Sequence, residues 1–149
     1  MKNFIYISEY NAPDSPAKSV LKEIIEEATR FNKKHDITGA LFFHNNVFLQ
    51  VIEGDCNAVD ELFEKIRIDK RHKNVQVIYD NSIQQRHFPG WRMKLLYLDD
   101  ESHFSPEIIA KIKQIYEFNL KFNPNDFIVL LQSLLNDDRF MSEIENMAL

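Results

Sequence analysis

The chain has 149 residues, 44% of them hydrophobic and 28% charged, enough for one domain with a sizeable core and an appendage. A formal net charge of -5 argues against a general nucleic-acid binder, and no apolar run approaches the roughly 20 residues that a membrane span needs. The single Cys56 excludes an intramolecular disulfide and no signal-peptide pattern opens the chain, so a cytoplasmic protein is expected.

Residues 4–8 read as a short strand, apolar on both faces apart from Tyr6 and hence central in its sheet. Residues 11–16 are loop chemistry. From 17 to about 34, Val20, Leu21, Ile24, Ile25, Ala28 and Phe31 recur at helical spacing, with Glu23, Glu26 and Glu27 expected on the other side. Lys33 and Lys34 suit the negative end of that helix. Residues 37–54 read as a β-hairpin joined by His44-Asn45-Asn46. Alternation puts Phe48, Gln50 and Ile52 on one face of its second strand, and Leu49 and Val51 on the other. Asp55 or Asn57 can cap a second helix over about 58–68, with Val59, Leu62, Phe63 and Ile66 as its buried stripe. A polar turn at 69–72, a strand at 75–79, a break at Pro89-Gly90 and an extended run at 91–98 follow.

The order β-α-β-β-α-β plus one strand is an α+β, ferredoxin-like pattern, βαββαβ with an added fifth strand and two helices on one sheet face. Its first and third strands are central neighbours, so Tyr6 and Gln50 are expected on the same face, under the helices. Ile5, Ile7, Leu49 and Val51 line the opposite face, which would not stay bare. After an acidic linker at 99–101, two further helices start at Ser105-Pro106 and Asn123-Pro124, each with an apolar stripe. They are expected to cover that second face or to sit in a subunit interface. The organisation is thus a domain over 1–98 and a helical extension over 99–149.

Gln50 is the anomaly of this pattern. A carboxamide in an apolar strand needs partners, because an unpaired buried polar group costs roughly 1–3 kcal/mol. An edge-strand or solvent-facing glutamine is the plainer alternative. The five histidines show no metal-ligand spacing, the three glycines permit no phosphate-cradling loop, and no nucleophile elbow is present. Hydrolase, metalloenzyme and P-loop chemistry therefore recede. What remains is a polar group under apolar helices: Tyr6, Gln50, Asn32, Lys65, Asp69, Arg71 and His72. Taken singly, Asn32 is equally a helix C-terminal residue, Lys65, Asp69 and Arg71 a solvated helix end, His72 a surface histidine and Trp91 core packing. Together, with Ile24 and Ile66 above, they outline a slot with apolar walls and a polar floor, suited to a flat heteroaromatic ring with polar edges.

The chain resembles the BLUF family of flavin-binding blue-light sensors. The resemblance is carried by Tyr6 in Ile-Tyr-Ile-Ser, Asn32 followed by Thr38-Gly39, Phe48-Leu49-Gln50-Val51-Ile52-Glu53-Gly54, Asp69-Lys70-Arg71-His72, and Arg86-His87-Phe88-Pro89-Gly90-Trp91-Arg92-Met93. It covers roughly 2–98, and the helical tail is similar to that of short, stand-alone members. The resemblance implies FAD as cofactor, with FMN as the alternative. It makes Tyr6 the electron and proton donor, and Gln50 the bridge from the tyrosine to the ring, rearranging on illumination. It has Asn32 hydrogen-bond the ring's carbonyl edge and Ile24 and Ile66 sandwich the ring, and it places Lys65, Asp69, Arg71 and His72 along the remaining edge and the ribityl-phosphate side. Trp91 and Met93, on the fifth strand, would carry the change outwards. Lys65 stands where many members have arginine, Phe31 where some have a second asparagine, and Asp36 where a glycine is usual. The implied function is photoreception without catalysis, signalling to an unidentified downstream protein, with a homo-oligomer expected and no membrane or nucleic-acid partner. The alternatives are a light-independent flavin redox protein and a cofactor-free ferredoxin-like interaction module.

Overall fold

A computed structural model describes residues 1–97 and, beyond them, only positions 106, 110 and 138. The chain divides into two compact units, the first of them Met1–Tyr97. Within it the elements run β1 (Lys2–Tyr10), α1 (Ala17–His35), β2 (Thr38–His44), β3 (Val47–Gly54), α2 (Cys56–Ile68), β4 (His72–Ser82) and β5 (Lys94–Tyr97). The strands form one sheet in the order β4-β1-β3-β2-β5. The β4–β1, β1–β3 and β3–β2 pairs are antiparallel, and β5 alone runs parallel to its neighbour, β2. This is the ferredoxin-like arrangement with its added fifth strand, and β1 and β3 are central neighbours as the sequence predicts.

Local chemistry sets the element ends. Asp55, not Asn57, caps α2: its carboxylate accepts from the Asn57 and Ala58 N–H groups at 3.0 and 3.2 Å. Helix α1 ends at Asp36, which takes the left-handed conformation (φ 51°), while the next N–H, that of Ile37, returns to the Asn32 carbonyl at 2.9 Å. That conformation explains why a glycine suits this position. The β2–β3 turn has Asn45 and Asn46 at φ 51° and 62°, the pair of positive values that a two-residue hairpin turn matched to strand twist requires.

Three boundaries differ from the sequence expectation. Strand β1 extends past 4–8 in both directions, because polar Lys2, Asn3 and Glu9 still find ladder partners on β3 and β4. Strand β4 is longer than 75–79 and takes His72 out of the expected turn, pairing it with Tyr10. Strand β5 begins only at Lys94, so Trp91 and Met93 lie in the segment before it and not on it. The parallel ladder with β2 starts at Ala40–Lys94; just ahead of it the Trp91 carbonyl accepts from the Gly39 N–H at 2.8 Å. Leu98 and, apart from positions 106, 110 and 138, the helices expected in 99–149 lie outside the described residues.

The two helices cover different halves of one sheet face. Helix α1 buries Val20, Leu21 and Ile24 on Leu41, Phe43, Phe48 and Leu95. Helix α2 buries Val59 and Leu62 on Phe4, Tyr6, Ile37 and Ile52. Each such side chain contributes roughly 1.5–3 kcal/mol when fully buried. A seam is left between the helices, above the place where β1 and β3 carry Tyr6 and Gln50.

Candidate functional site

Tyr6 and Gln50 sit directly opposite each other in the β1–β3 register, and both are buried. The Tyr6 hydroxyl donates to Gln50 Oε1, while Gln50 Nε2 points the other way and donates to the sulfur of Met93 at 3.5 Å. Both ends of the carboxamide are therefore engaged, which answers the question that a polar residue in this strand poses. Burial, and secondarily the negative charge of Asp69, push the Tyr6 phenol well above its ordinary value. It is a neutral donor that does not ionise on its own at physiological pH.

Above this polar floor lies a cavity of about 250 Å³. Ile24 and Ala28 from α1 and Leu62 and Ile66 from α2 form its apolar walls. Its mouth is charged. Arg71 grips Asp69 with contacts of 2.6–3.0 Å and reaches across to Glu27 of α1 at 2.8 Å. Burial raises the Asp69 carboxyl, but hydrogen bonds from the Arg71 side chain and backbone outweigh it and leave the group below its ordinary value. The Arg71 guanidinium is held above its own ordinary value, first by Asp69 and then by Glu27. At another edge, the Lys65 ammonium lies 4.3 Å from the centre of the Phe31 ring, which stacks on His35 at 3.9 Å.

His72 completes the lining. Its ring packs against Phe48 and Tyr6, its Nδ1 lies 2.9 Å from Ser8 Oγ, and burial lowers it to about 4, so it is neutral near pH 7. Asn32 stands apart from the lining. It is fully buried in the last turn of α1, where its Nδ2 donates to the Arg92 carbonyl at 2.5 Å. Its Oδ1 finds no hydrogen-bond partner among the described residues. A shallow space with apolar walls, a polar floor and an orphaned buried acceptor nearby fits a planar ring with N–H and carbonyl edges.

The sequence profile of a family described as BLUF, sensors of blue-light using FAD, matches residues 1–94. The chain belongs to the BLUF family. It is 39% identical over 85 residues to the photoactivated adenylate cyclase subunit beta of Euglena longa, a match covering 57% of this chain and 10% of that protein. It is 32% identical over 85 residues to the blue light- and temperature-regulated antirepressor BluF of Escherichia coli (strain K12), covering 57% of this chain and 21% of that one. The chain thus matches only a small part of the length of these relatives. Among solved structures, that of the BlsA ground state superposes with a TM-score of 0.75 at 30% identity, covering 93% of this chain and 89% of that one.

Within this BLUF fold, Tyr6, Ile24, Gln50, Lys65, Ile66, Asp69, Arg71 and His72 all line the same cavity. Met93 faces Gln50, whereas Trp91 is half-buried and stacks on Phe88 with centroids 6.3 Å apart. Glu27 is a correction: expected to face away with Glu23 and Glu26, it lines the mouth and pairs with Arg71. The signal was present, since Glu27 follows Ile24 by three positions and so shares its face. Phe31 and Lys65, two positions singled out in the sequence, are in mutual contact.

Among the described residues there is no group of three or more His, Cys, Asp or Glu that could hold a metal ion. Nor is any helix among them long and apolar enough to cross a membrane.

Proposed function

We propose that this chain is a blue-light photoreceptor that binds a flavin between α1 and α2, with FAD as the form and FMN as the alternative. The observation that carries the reading is the Tyr6–Gln50 hydrogen bond on the floor of the cavity, with Gln50 engaging Met93 at its other end. Ile24 and Ile66 would hold the ring from either side, and Asn32 Oδ1 would accept from its edge. Lys65, Asp69, Arg71 and His72 would flank the remaining edge and the ribityl-phosphate side. When bound, the flavin supplies absorption of blue light and an oxidising excited state.

The protein's own part is a hydrogen-bond switch. Tyr6 is kept protonated by burial, so its hydroxyl hydrogen moves only when the phenol is oxidised, and Gln50 Oε1 stands in line to receive it. When electron and proton return, Gln50 presents a changed donor and acceptor arrangement, and Met93 loses or alters its contact. The output is binding of a downstream protein, or a change of assembly in a homo-oligomer, and not catalysis by this chain. Its relatives are themselves named as a photoactivated adenylate cyclase subunit and a blue light- and temperature-regulated antirepressor, so the outputs attached to such sensors differ. A cytoplasmic location is proposed with this function.

Visible spectra in darkness and after blue illumination test this. The flavin-loaded protein is expected to show a small, reversible red shift. Tyr6→Phe and Gln50→Leu are expected to retain flavin and lose that shift. A normal shift in either variant overturns the assigned pair.

A further inference from the structure

Glu53 is fully buried at the end of β3, three residues beyond Gln50 and on the opposite face of the strand, so it does not line the cavity. A buried carboxylate is tolerated only where donors surround it. Here nearly all of them come from one segment. The His87 N–H lies 2.9 Å from both oxygens, the Phe88 N–H donates to Oε1 at 2.7 Å, and His87 Nδ1 lies 2.7 Å from Oε2. Asn3 Nδ2 adds a contact at 3.2 Å from β1.

The far end of this segment, residues 86–93, is tied to the photoactive site. Arg92 offers its carbonyl to Asn32, and Met93 offers its sulfur to Gln50. Side ties strengthen the near end: the Arg86 guanidinium donates to Thr38 Oγ1 and the Glu53 carbonyl, both at 2.9 Å. One short segment therefore runs from the buried Glu53 side chain at its start to a contact with Gln50 at its end.

We propose that Glu53 is a positioning residue of the photosensor, anchoring residues 86–93 so that Met93 meets Gln50 and setting how readily that segment moves when Gln50 changes. The proposal rests on reading the cavity as a photoactive flavin site. It assigns Glu53 no contact with the ligand. Its effect is on the alignment and release of the segment, not on the photochemistry.

The test uses the full chain loaded with FAD, as wild type, Glu53→Gln and His87→Ala. Glu53→Gln keeps the shape but replaces one acceptor oxygen with a donor facing other donors. His87→Ala removes only the ring contact at a half-buried position, so it decides the matter should Glu53→Gln fail to fold. Three quantities are read: the size of the blue-light red shift, its rate of dark relaxation, and amide hydrogen exchange across 84–93. For Glu53→Gln, the shift should keep its size, exchange at His87 and Phe88 should rise about 10-fold in darkness, and relaxation should change by about 3-fold or more. For His87→Ala, about 3-fold faster exchange is expected in the same peptide. Unchanged exchange across 84–93 in the folded variant overturns the anchor. So does faster exchange spread evenly over β1–β3 with relaxation as in wild type, which is what a merely structural carboxylate gives. A wild type without any red shift overturns the flavin reading instead, and dark exchange alone then decides whether Glu53 holds the segment.

Discussion

Acidification from about pH 7.5 to about pH 5 should weaken this fold through His72. In the folded chain the imidazole is 8% exposed, packed against Phe48, and lowered to about 4 by burial; Asp69 opposes that shift and Arg71 adds to it. In the unfolded chain the same group titrates near its ordinary value of about 6.5. Between those values the unfolded state binds more protons, so stability is full above about pH 6.5 and declines as pH falls towards about 4. The interval of about 2.5 pH units corresponds to roughly 3 kcal/mol in total, of which roughly 2 kcal/mol is lost by pH 5. Asp69 does not confuse the window, because its lowered carboxyl titrates below 3.8. Urea unfolding of wild type and His72→Gln at both pH values measures the effect. Glutamine is neutral at both and keeps a polar atom for Ser8, so wild type should lose about 2 kcal/mol more than the variant. Equal losses would refute the claim that His72 is held neutral by burial.

Two further substitutions test the backbone around the site. At Gly39 an added Cβ would collide with the carbonyl oxygen of Val51, which is backbone and cannot rotate aside. Gly39→Ala should therefore cost roughly 1–3 kcal/mol in urea unfolding and disturb the Gly39–Trp91 contact, whereas a loss under about 0.5 kcal/mol would show that the hairpin shifts freely. At Asn46, already left-handed at φ 62°, Asn46→Gly should stabilise the hairpin by roughly 0.5 kcal/mol, and a measured destabilisation would contradict the turn geometry.

Periodicity made the fold legible where packing follows side-chain spacing. The alternation at Phe48, Gln50 and Ile52 and the helical stripe at Val20, Leu21 and Ile24 both face the core as read. Strand ends were not legible, because Lys2, Glu9 and His72 owe their extended conformation to ladder partners far away in sequence. The cavity residues were legible chiefly as a constellation: Lys65, Asp69, Arg71 and His72 do not differ singly from surface residues until β1, β3 and both helices converge. Glu27 and Arg71 are an instance, since 44 positions separate two charges that meet only across the mouth. Glu53 escaped for the same reason. Two of its donors, the His87 and Phe88 N–H groups, are backbone and carry no residue identity to read, and all its partners are distant in sequence.

The orientation of Gln50 bears directly on how a signal could leave the site. Its carbonyl faces the Tyr6 hydroxyl and its amide faces the Met93 sulfur. Turning the amide over would aim an oxygen lone pair at a sulfur lone pair and replace an N–H···S contact with a repulsion. The switch proposed at Tyr6 therefore cannot be completed without a consequence at Met93, two elements away in the chain. A change of this kind is worth about 1–3 kcal/mol and shifts a two-state equilibrium only about 5–150-fold. Such a shift becomes a usable signal only if residues 86–93 are already poised near balance between held and released. A carboxylate gripping the start of that segment, from the face away from the cavity, is the element that can set this balance without altering the photochemistry.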